Sequence, residues 1–236
     1  MRSTHRSSNR GRKMPIAPRS TPNKASSARR PRAYLAGPDV FLKEALAIAT
    51  AKKRLCARHG LEGVFPLDAQ VARAGKSSAQ RACAIGAANE ALIRSCDIVI
   101  ANCSPFRGVS MDAGTAYEIG YACALGKPVV GYTNVTASYR DRADRYRRLG
   151  DPLQADTAGS LIEDFGLAEN LMIATAAYGR DLVRTRVRRG QELVDLRGFA
   201  RSVEIAKQAI AAQRRPARLP IAQSTYARGG QRRKPA

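Results

Sequence analysis

The sequence predicts one three-layer α/β domain built on a doubly wound parallel sheet of the flavodoxin or Rossmann type. Apolar runs short enough for buried strands alternate with longer segments in which apolar residues recur at helical spacing. The clearest case is a strand at 98–102, a polar loop with glycines, a helix at 115–125 and a strand at 129–133. A βαβ unit of this kind places its loop at the carboxyl edge of the sheet, where α/β proteins bind ligands.

The first half of the chain supplies two further strands, each followed by a helix. Residues 32–36 form the first strand, which Gly37 and Pro38 end in a turn. Apolar residues then recur at helical spacing over 40–58, and Asp39 is predicted to cap that helix. The next elements are a strand at 63–67, a small polar surface loop near the site at 69–80 and a helix at about 80–95.

The last third of the chain is less regular. Charged residues crowd the insertion at 138–160, which is predicted to be either a lid or a solvent-exposed loop. Residues 165–174 run from an irregular stretch into an apolar segment. Residues 191–213 carry a helical apolar pattern and are predicted to form a final amphipathic helix that packs on the sheet.

The net charge of +22 is concentrated at the two ends of the chain. Residues 1–32 contain ten basic and no acidic side chains, and residues 214–236 contain seven basic side chains and again no acid. Both ends are rich in Ser, Pro, Gly and Arg and lack apolar periodicity. Residues 1–31 and 214–236 are therefore predicted to be disordered basic tails around a domain at 32–213, which is itself only mildly basic.

The N-terminal arm allows more than one interpretation. Its Arg and Ser content is that of a transit peptide, but several prolines interrupt it and it has no apolar segment for secretion. It is interpreted as a solvated tail, or as sequence upstream of a true start at Met14. Weak contact with nucleic acid or a membrane surface is the alternative.

Cysteine and histidine usage excludes several classes of site. The five cysteines lie in apolar or helical contexts and form no C-x-x-C pair, which is typical of a reducing compartment and favours a cytoplasmic location. The pattern predicts neither a disulfide framework nor a zinc site. His5 lies in the tail and His59 at a helix end, so histidine-based catalysis is not expected. No apolar run approaches the length of a membrane span.

Two carboxylates six residues apart mark the candidate site. Asp112 lies in the glycine-bearing loop, and Glu118 lies in the first turn of the following helix. Thr115 and Glu118 also match a capping box, a structural role that needs no ligand. Gly114 and Gly120, however, would let another group approach the backbone closely. The two interpretations are compatible, because the helix dipole would hold a glutamate here ionised and nucleophilic.

Five motifs follow one another along the domain. They are Tyr34-Leu-Ala-Gly-Pro-Asp-Val-Phe41, Asn89-Glu-x-x-Ile-x-x-x-Asp97, Ser104-Pro-Phe-Arg-Gly108, Asp112-x-Gly-Thr-x-x-Glu118-x-Gly-Tyr-Ala and Phe165-Gly-Leu-x-x-Asn170-Leu-Met172. In this order they resemble the nucleoside 2-deoxyribosyltransferases. The resemblance covers about residues 33–175 and leaves out both tails and the last helix.

The resemblance implies transfer of 2-deoxyribose between nucleobases in nucleoside salvage, without a metal or other cofactor. Glu118 resembles the family's nucleophile, which attacks the anomeric carbon to give a deoxyribosyl ester. Asp112 resembles the carboxylate that holds the sugar hydroxyl and the nucleophile in place. A second base then attacks the same carbon, so the β configuration is retained over two inversions, as in retaining glycosidases.

The resemblance also implies substrate-binding positions. Tyr34 and the Gly37–Pro38 turn would lie near the sugar and base, and Phe41 would stack on the base. For Tyr34 the alternative is an ordinary aromatic residue of a strand. Asn170 and Met172 match residues that complete a neighbouring subunit's pocket, which predicts a homo-oligomer. Their alternative is a buried β-segment of the same subunit.

The group that handles the departing base is left open. Some family members carry an aspartate seven residues before the position of Asp97, whereas this chain has Glu90 there, preceded by Asn89. Glu90 could protonate the base, or Asn89 could bind the base without titrating. Arg107 could contact a base or a phosphate, or it could simply cover its loop.

Two other functions remain as alternatives. A related N-glycosidase would hydrolyse 2-deoxynucleoside 5′-monophosphates with water in place of the acceptor base. The Gly-Thr-x-x-Glu motif also resembles part of the cytokinin-activating nucleotide phosphoribohydrolases, but Met111-Asp112-Ala113 replaces their glycine pair.

The other alternative is not an enzyme: the domain could be a nucleotide-binding module whose basic tails touch nucleic acid. The paired carboxylates argue against such a module, because a binder needs no nucleophile.

Overall fold

Five parallel strands form the centre of the domain. The structure is a computed structural model, which describes residues 29–69, 77–149 and 161–214. The strands lie in the order β2-β1-β3-β4-β5, where β1 is Arg32–Ala36, β2 Glu62–Val64, β3 Ile98–Asn102, β4 Val129–Thr133 and β5 Val183–Arg184. Every neighbouring pair is parallel. This is the strand order of flavodoxin-like doubly wound sheets, so the predicted fold class is confirmed.

Helices cover both faces of this sheet. Within the described ranges they are α1 (Ala45–Arg58), α2 (Ser78–Ser95), α3 (Ala113–Ala124), α4 (Tyr139–Leu149), α5 (Leu171–Ala176) and α6 (Arg197–Arg214). Short 3-10 turns at Pro38–Phe41 and Pro66–Asp68 follow β1 and β2. None of the helices in these ranges combines the length and the apolar character that crossing a bilayer requires.

The core has two layers, one on each face of the sheet. Successive side chains of a strand point to opposite faces, so Leu35 and Tyr34 of β1 enter different layers. Leu35 packs with apolar residues of α1 and α6, whereas Tyr34 packs with those of α2 and α3. Because both faces are buried, the central strands are continuous apolar runs. The buried Tyr34 hydroxyl therefore needs a hydrogen-bond partner from within the protein.

The helix predicted at 40–58 begins later than expected. Pro38 starts a 3-10 turn, and Leu42 then adopts extended backbone, so α1 starts at Ala45. The prediction that Asp39 caps this helix is wrong. Its side chain is buried and accepts a 2.5 Å hydrogen bond from the Lys52 ammonium, because a buried cation needs a nearby counter-charge.

Other predicted boundaries also change. The strand predicted at 63–67 ends at Val64, because Pro66 begins a 3-10 turn. The insertion at 138–160 contains the regular helix α4, where a lid or an exposed loop was expected. The last helix starts at Arg197 in place of residue 191. Strand β5 has only two residues and was not predicted.

Part of the sequence interpretation lies outside the described residues. This applies to residues 70–76 of the surface loop, residues 150–160 of the insertion, and the tail segments 1–28 and 215–236 with the start at Met14. The described chain begins at Arg29, whose guanidinium donates hydrogen bonds of 2.9 Å to both carboxylate oxygens of Asp97.

Candidate active site

The ends of β1 and β3 meet at the carboxyl edge of the sheet, next to the start of α3. Ala36 and Ala101 are paired in the parallel register, and Gly37 follows directly. A Cβ atom at Gly37 would lie 2.8 Å from the Cβ of Asn102 and 2.8 Å from an oxygen of Asp39. Only glycine allows this close approach, which explains the Gly37–Pro38 turn at the end of β1.

A short hydrogen bond joins the two elements at this edge. The Tyr34 hydroxyl of β1 donates to Oε1 of Glu118 in α3 at 2.6 Å. Tyr34 is fully buried and Glu118 is half-buried. Burial raises the pKa of Glu118 to about 7, an effect that the Tyr34 hydrogen bond opposes and the nearby charge of Asp112 reinforces. Both protonation states of Glu118 are therefore populated near neutral pH.

Asp112 is the N-cap of α3. Its Oδ2 accepts hydrogen bonds from the backbone N–H of Thr115 at 2.9 Å and from the Thr115 hydroxyl at 3.0 Å. A Cβ at Gly114 would lie only 3.1 Å from this oxygen, so glycine leaves room for the cap. The other oxygen, Oδ1, accepts no hydrogen bond from the part of the chain that the structure describes.

The predicted capping box of Thr115 and Glu118 is therefore wrong. Asp112 occupies the cap position, which moves Glu118 into the second turn of α3. Its carboxylate binds Tyr34 and does not return to the helix N-terminus. The helix dipole acts mainly within the first turn, so Glu118 in the second turn gains little from it. Burial raises the pKa of its carboxyl group instead.

An aromatic pair lies on the loops that follow β1 and β3. The rings of Phe41 and Phe106 stack with centroids 5.6 Å apart, and Phe41 is exposed. The Arg107 guanidinium lies 5.1 Å from the Phe41 ring and 4.6 Å from the Phe106 ring. Arg107 thus covers the two rings, and its backbone adopts a left-handed φ of 55°. Phe106 was not predicted as a site residue, although it lies inside the quoted Ser104–Gly108 motif.

Asn89 and Glu90 lie on α2, in different surroundings. Asn89 lines a cleft of about 640 Å³ between α1, α2 and the turn after β2, together with Leu46, Pro66, Leu67, Ala69, Arg81 and Ile85. Glu90 accepts hydrogen bonds from the Tyr117 hydroxyl at 2.5 Å and from Arg94 at 3.4 Å. These contacts, the tyrosine bond first, lower the pKa of Glu90. No hydrogen bond within the described ranges links Glu90 to Glu118.

Asn170 and Met172 lie at the start of α5. Asn170 caps this helix: its Oδ1 accepts from the Met172 N–H at 3.0 Å, and its Nδ2 donates to Glu163 at 2.6 Å. Met172 is 70% exposed, and Phe165, which is close in sequence, is exposed as well. The alternative of a buried β-segment is therefore wrong. The predicted contact with a neighbouring subunit's pocket remains a prediction.

The structure thus brings the predicted site residues together only in part. Tyr34, Glu118 and Asp112 form one cluster, through the Tyr34 hydrogen bond and the charge of Asp112 near Glu118. Gly37 of the turn after β1 lies against Asn102 and Asp39. The residues on α2 and α5 contact other partners. In the described ranges no group of three His, Cys, Asp or Glu side chains is arranged to hold a metal ion.

Comparison with known proteins identifies the family. The profile of the nucleoside 2-deoxyribosyltransferase family matches residues 33–172, more than half of the chain. The chain therefore belongs to this family and is a transferase enzyme. A 2-desoxiribosyltransferase from Leishmania mexicana is similar in structure, with 29% identity and a TM-score of 0.52, over 74% of this chain and 97% of that one.

Two further proteins are similar to this chain. An uncharacterized protein of Schizosaccharomyces pombe is 32% identical over 164 residues, which are 63% of this chain and 78% of that protein. A 2-deoxyribosyltransferase from Bacillus psychrosaccharolyticus is 21% identical with a TM-score of 0.40, over 62% of this chain and 82% of that one.

Proposed function

We propose that this enzyme transfers a 2-deoxyribosyl group between nucleobases through a covalent ester on Glu118, as a step of nucleoside salvage. One observation carries the proposal. Glu118 is a half-buried carboxylate at the carboxyl edge, and in the described part of the chain its side chain is bound only by the neutral Tyr34 hydroxyl. A carboxylate without a cationic partner keeps its electron pairs available for nucleophilic attack.

The first half of the reaction forms the ester. Ionised Glu118 attacks the anomeric carbon of a 2-deoxynucleoside, the carbon–nitrogen bond to the base breaks, and the base leaves with the bonding electron pair and takes up a proton. Tyr34 holds the attacking carboxylate through its 2.6 Å hydrogen bond. The free Oδ1 of Asp112 binds a sugar hydroxyl, so that the sugar is oriented toward Glu118.

The second half releases the sugar to another base. A ring nitrogen of the acceptor attacks the same carbon and loses a proton, and the bond between carbon and the Glu118 oxygen breaks. Glu118 regains its negative charge, and the overall reaction exchanges one base for another with retained configuration. Because only the ionised form attacks, the rate is expected to rise as Glu118 deprotonates with a pKa of about 7.

The base-binding groups are proposed from their positions. Phe41 contacts Phe106 and Arg107 and is still 56% exposed, so the rest of its ring can contact a base. Asn89 faces a cleft large enough for a base. Asn89 can hold the departing base without titrating, whereas Glu90 would first have to be protonated in spite of its lowered pKa. Asn170 and Met172 would complete the pocket of a neighbouring subunit in a homo-oligomer.

Base exchange tests the proposal directly. The protein is incubated with deoxyinosine or thymidine, with and without free adenine or cytosine, and the products are separated by chromatography. We expect a new deoxynucleoside only when the acceptor is present, and no exchange by Glu118→Ala. The control is Glu204→Gln, an exposed carboxylate on α6 that should leave the rate unchanged.

Two outcomes contradict the proposal. Free base released at the same rate without an acceptor would identify a hydrolase. Neither exchange nor release with any nucleoside or nucleotide would exclude both enzymatic functions.

A further inference from the structure

A buried ion pair that does not include Glu118 joins three segments of the chain. Nη2 of Arg142, on α4, lies 2.8 Å from Oε2 of Glu169, and the side chains are 9% and 0% exposed. We propose that Arg142 and Glu169 are positioning residues, which fix the loop that carries Asp112 against the segment that carries Asn170. The effect on catalysis rests on the function proposed above.

Arg142 holds the three segments through backbone carbonyls as well as through Glu169. Its Nε donates to the carbonyl of Val109, in the loop after β3, at 2.8 Å. Its Nη1 donates to the carbonyl of Ala137 after β4 at 3.0 Å, and to that of Ala168 at 2.7 Å. One rigid guanidinium thus fixes the relative positions of all three segments.

Glu169 contacts both the loop that carries Asp112 and the segment that carries Asn170. Its Oε1 accepts from the Ser110 hydroxyl at 2.5 Å and from the backbone N–H of Asn170 at 3.2 Å. Ser110 lies two residues before Asp112, and Asn170 is the cap of α5. The Glu169 carboxylate therefore connects the loop of Asp112, the proposed sugar-binding group, to Asn170, which is proposed to complete a neighbouring subunit's site.

The loop depends on these contacts for its position. Residues 103–112 belong to no helix or strand. Within this loop, the backbone N–H of Phe106 donates a hydrogen bond to the carbonyl of Ser110. The carboxylate of Asp112 must lie correctly for the sugar to be oriented. A displacement of about 1 Å in such a group can reduce the rate by as much as about a hundredfold.

Ser110→Ala is the variant that tests the inference, because it removes one hydroxyl and leaves the ion pair intact. We expect kcat for base exchange to fall about tenfold at a temperature where the variant is fully folded. Ser110→Thr keeps the hydroxyl and should restore most of the rate. Asp144→Asn is the matched control, because it breaks a surface ion pair with Arg140 on the same helix and should leave kcat unchanged.

Hydrogen exchange measured by mass spectrometry, without substrate, provides a second readout. In Ser110→Ala we expect faster exchange both in 104–112 and in 168–172, with β1 and β3 unchanged. An unchanged kcat, or faster exchange confined to 104–112, would overturn the inference. If the unmodified enzyme exchanges no base, the proposed function fails, and hydrogen exchange alone decides whether the two segments are coupled.

Discussion

Two carboxylates at the same edge of the sheet have opposite surroundings. Asp39 is fully buried, accepts from the Lys52 ammonium at 2.5 Å, and receives a second hydrogen bond from Asn102 at 3.4 Å. Glu118 is half-buried, receives one hydrogen bond from the neutral Tyr34 hydroxyl and lies near a second negative charge. The first arrangement neutralises a charge and stabilises the turn after β1. The second leaves Glu118 without a cationic partner in the described part of the chain, as the proposed nucleophilic role requires.

The largest expected effect is on stability and concerns Lys52. Lys52→Met leaves Asp39 buried without its cation, so we expect the free energy of unfolding to fall by about 3–5 kcal/mol. Urea unfolding followed by circular dichroism measures this. The control is Lys53→Met, because Lys53 pairs with Asp68 at the surface and should contribute less than about 1 kcal/mol. Equal losses in the two variants would show that the buried pair has no special role.

Removing the charge of Glu118, in contrast, is expected to stabilise the protein. Its pKa is raised from the ordinary 4.5 to about 7 in the folded protein, so the folded state binds this proton more tightly than the unfolded state does. Stability from this group is present below pH 4.5 and is lost as the pH rises toward 7. Glu118→Gln should therefore stabilise the protein at pH 8 by up to about 3 kcal/mol, and hardly at all at pH 4. Thermal unfolding at the two pH values checks this, and a loss of stability at pH 8 would contradict it.

A smaller effect is expected from the hydroxyl that binds Glu118. The Tyr34 hydrogen bond lowers the pKa of Glu118, so Tyr34→Phe should raise that pKa further. The acid limb of the pH profile of kcat/KM should move to higher pH, with a loss of about tenfold at pH 6. Tyr178→Phe, at an exposed position, serves as the control. An acid limb that does not move would show that another group titrates there.

The smallest effect is expected at Glu90, a third carboxylate that is partly exposed and already paired. Glu90→Gln should reduce kcat/KM by less than about fivefold, because surface pairs such as the one with Arg94 contribute little. Asn89→Ala should reduce it more, because Asn89 lines the cleft. Both variants are assayed with a purine and a pyrimidine donor. A large loss for Glu90→Gln alone would identify Glu90 as the group that protonates the base.

The sequence was sufficient for the central strands and insufficient for the partners of the site residues. Strands β1, β3 and β4 lie where apolar runs predicted them, because burial on both faces leaves a local signal. The residues next to Asp39 are typical of a helix cap, and they give no sign that its carboxylate pairs with the buried Lys52. Glu118 likewise binds a tyrosine 84 residues away. The motifs located both groups, but only the fold shows which charge is paired.

The most direct test of the account is detection of the ester itself. The enzyme is mixed with deoxyinosine without an acceptor, quenched in acid, digested and examined by mass spectrometry. We predict a 2-deoxyribosyl group on the peptide that contains Glu118, absent in Glu118→Gln and removed when adenine is added before the quench. Base exchange that proceeds with no adduct, or with an adduct on any other residue, would contradict the assignment of Glu118 as the nucleophile.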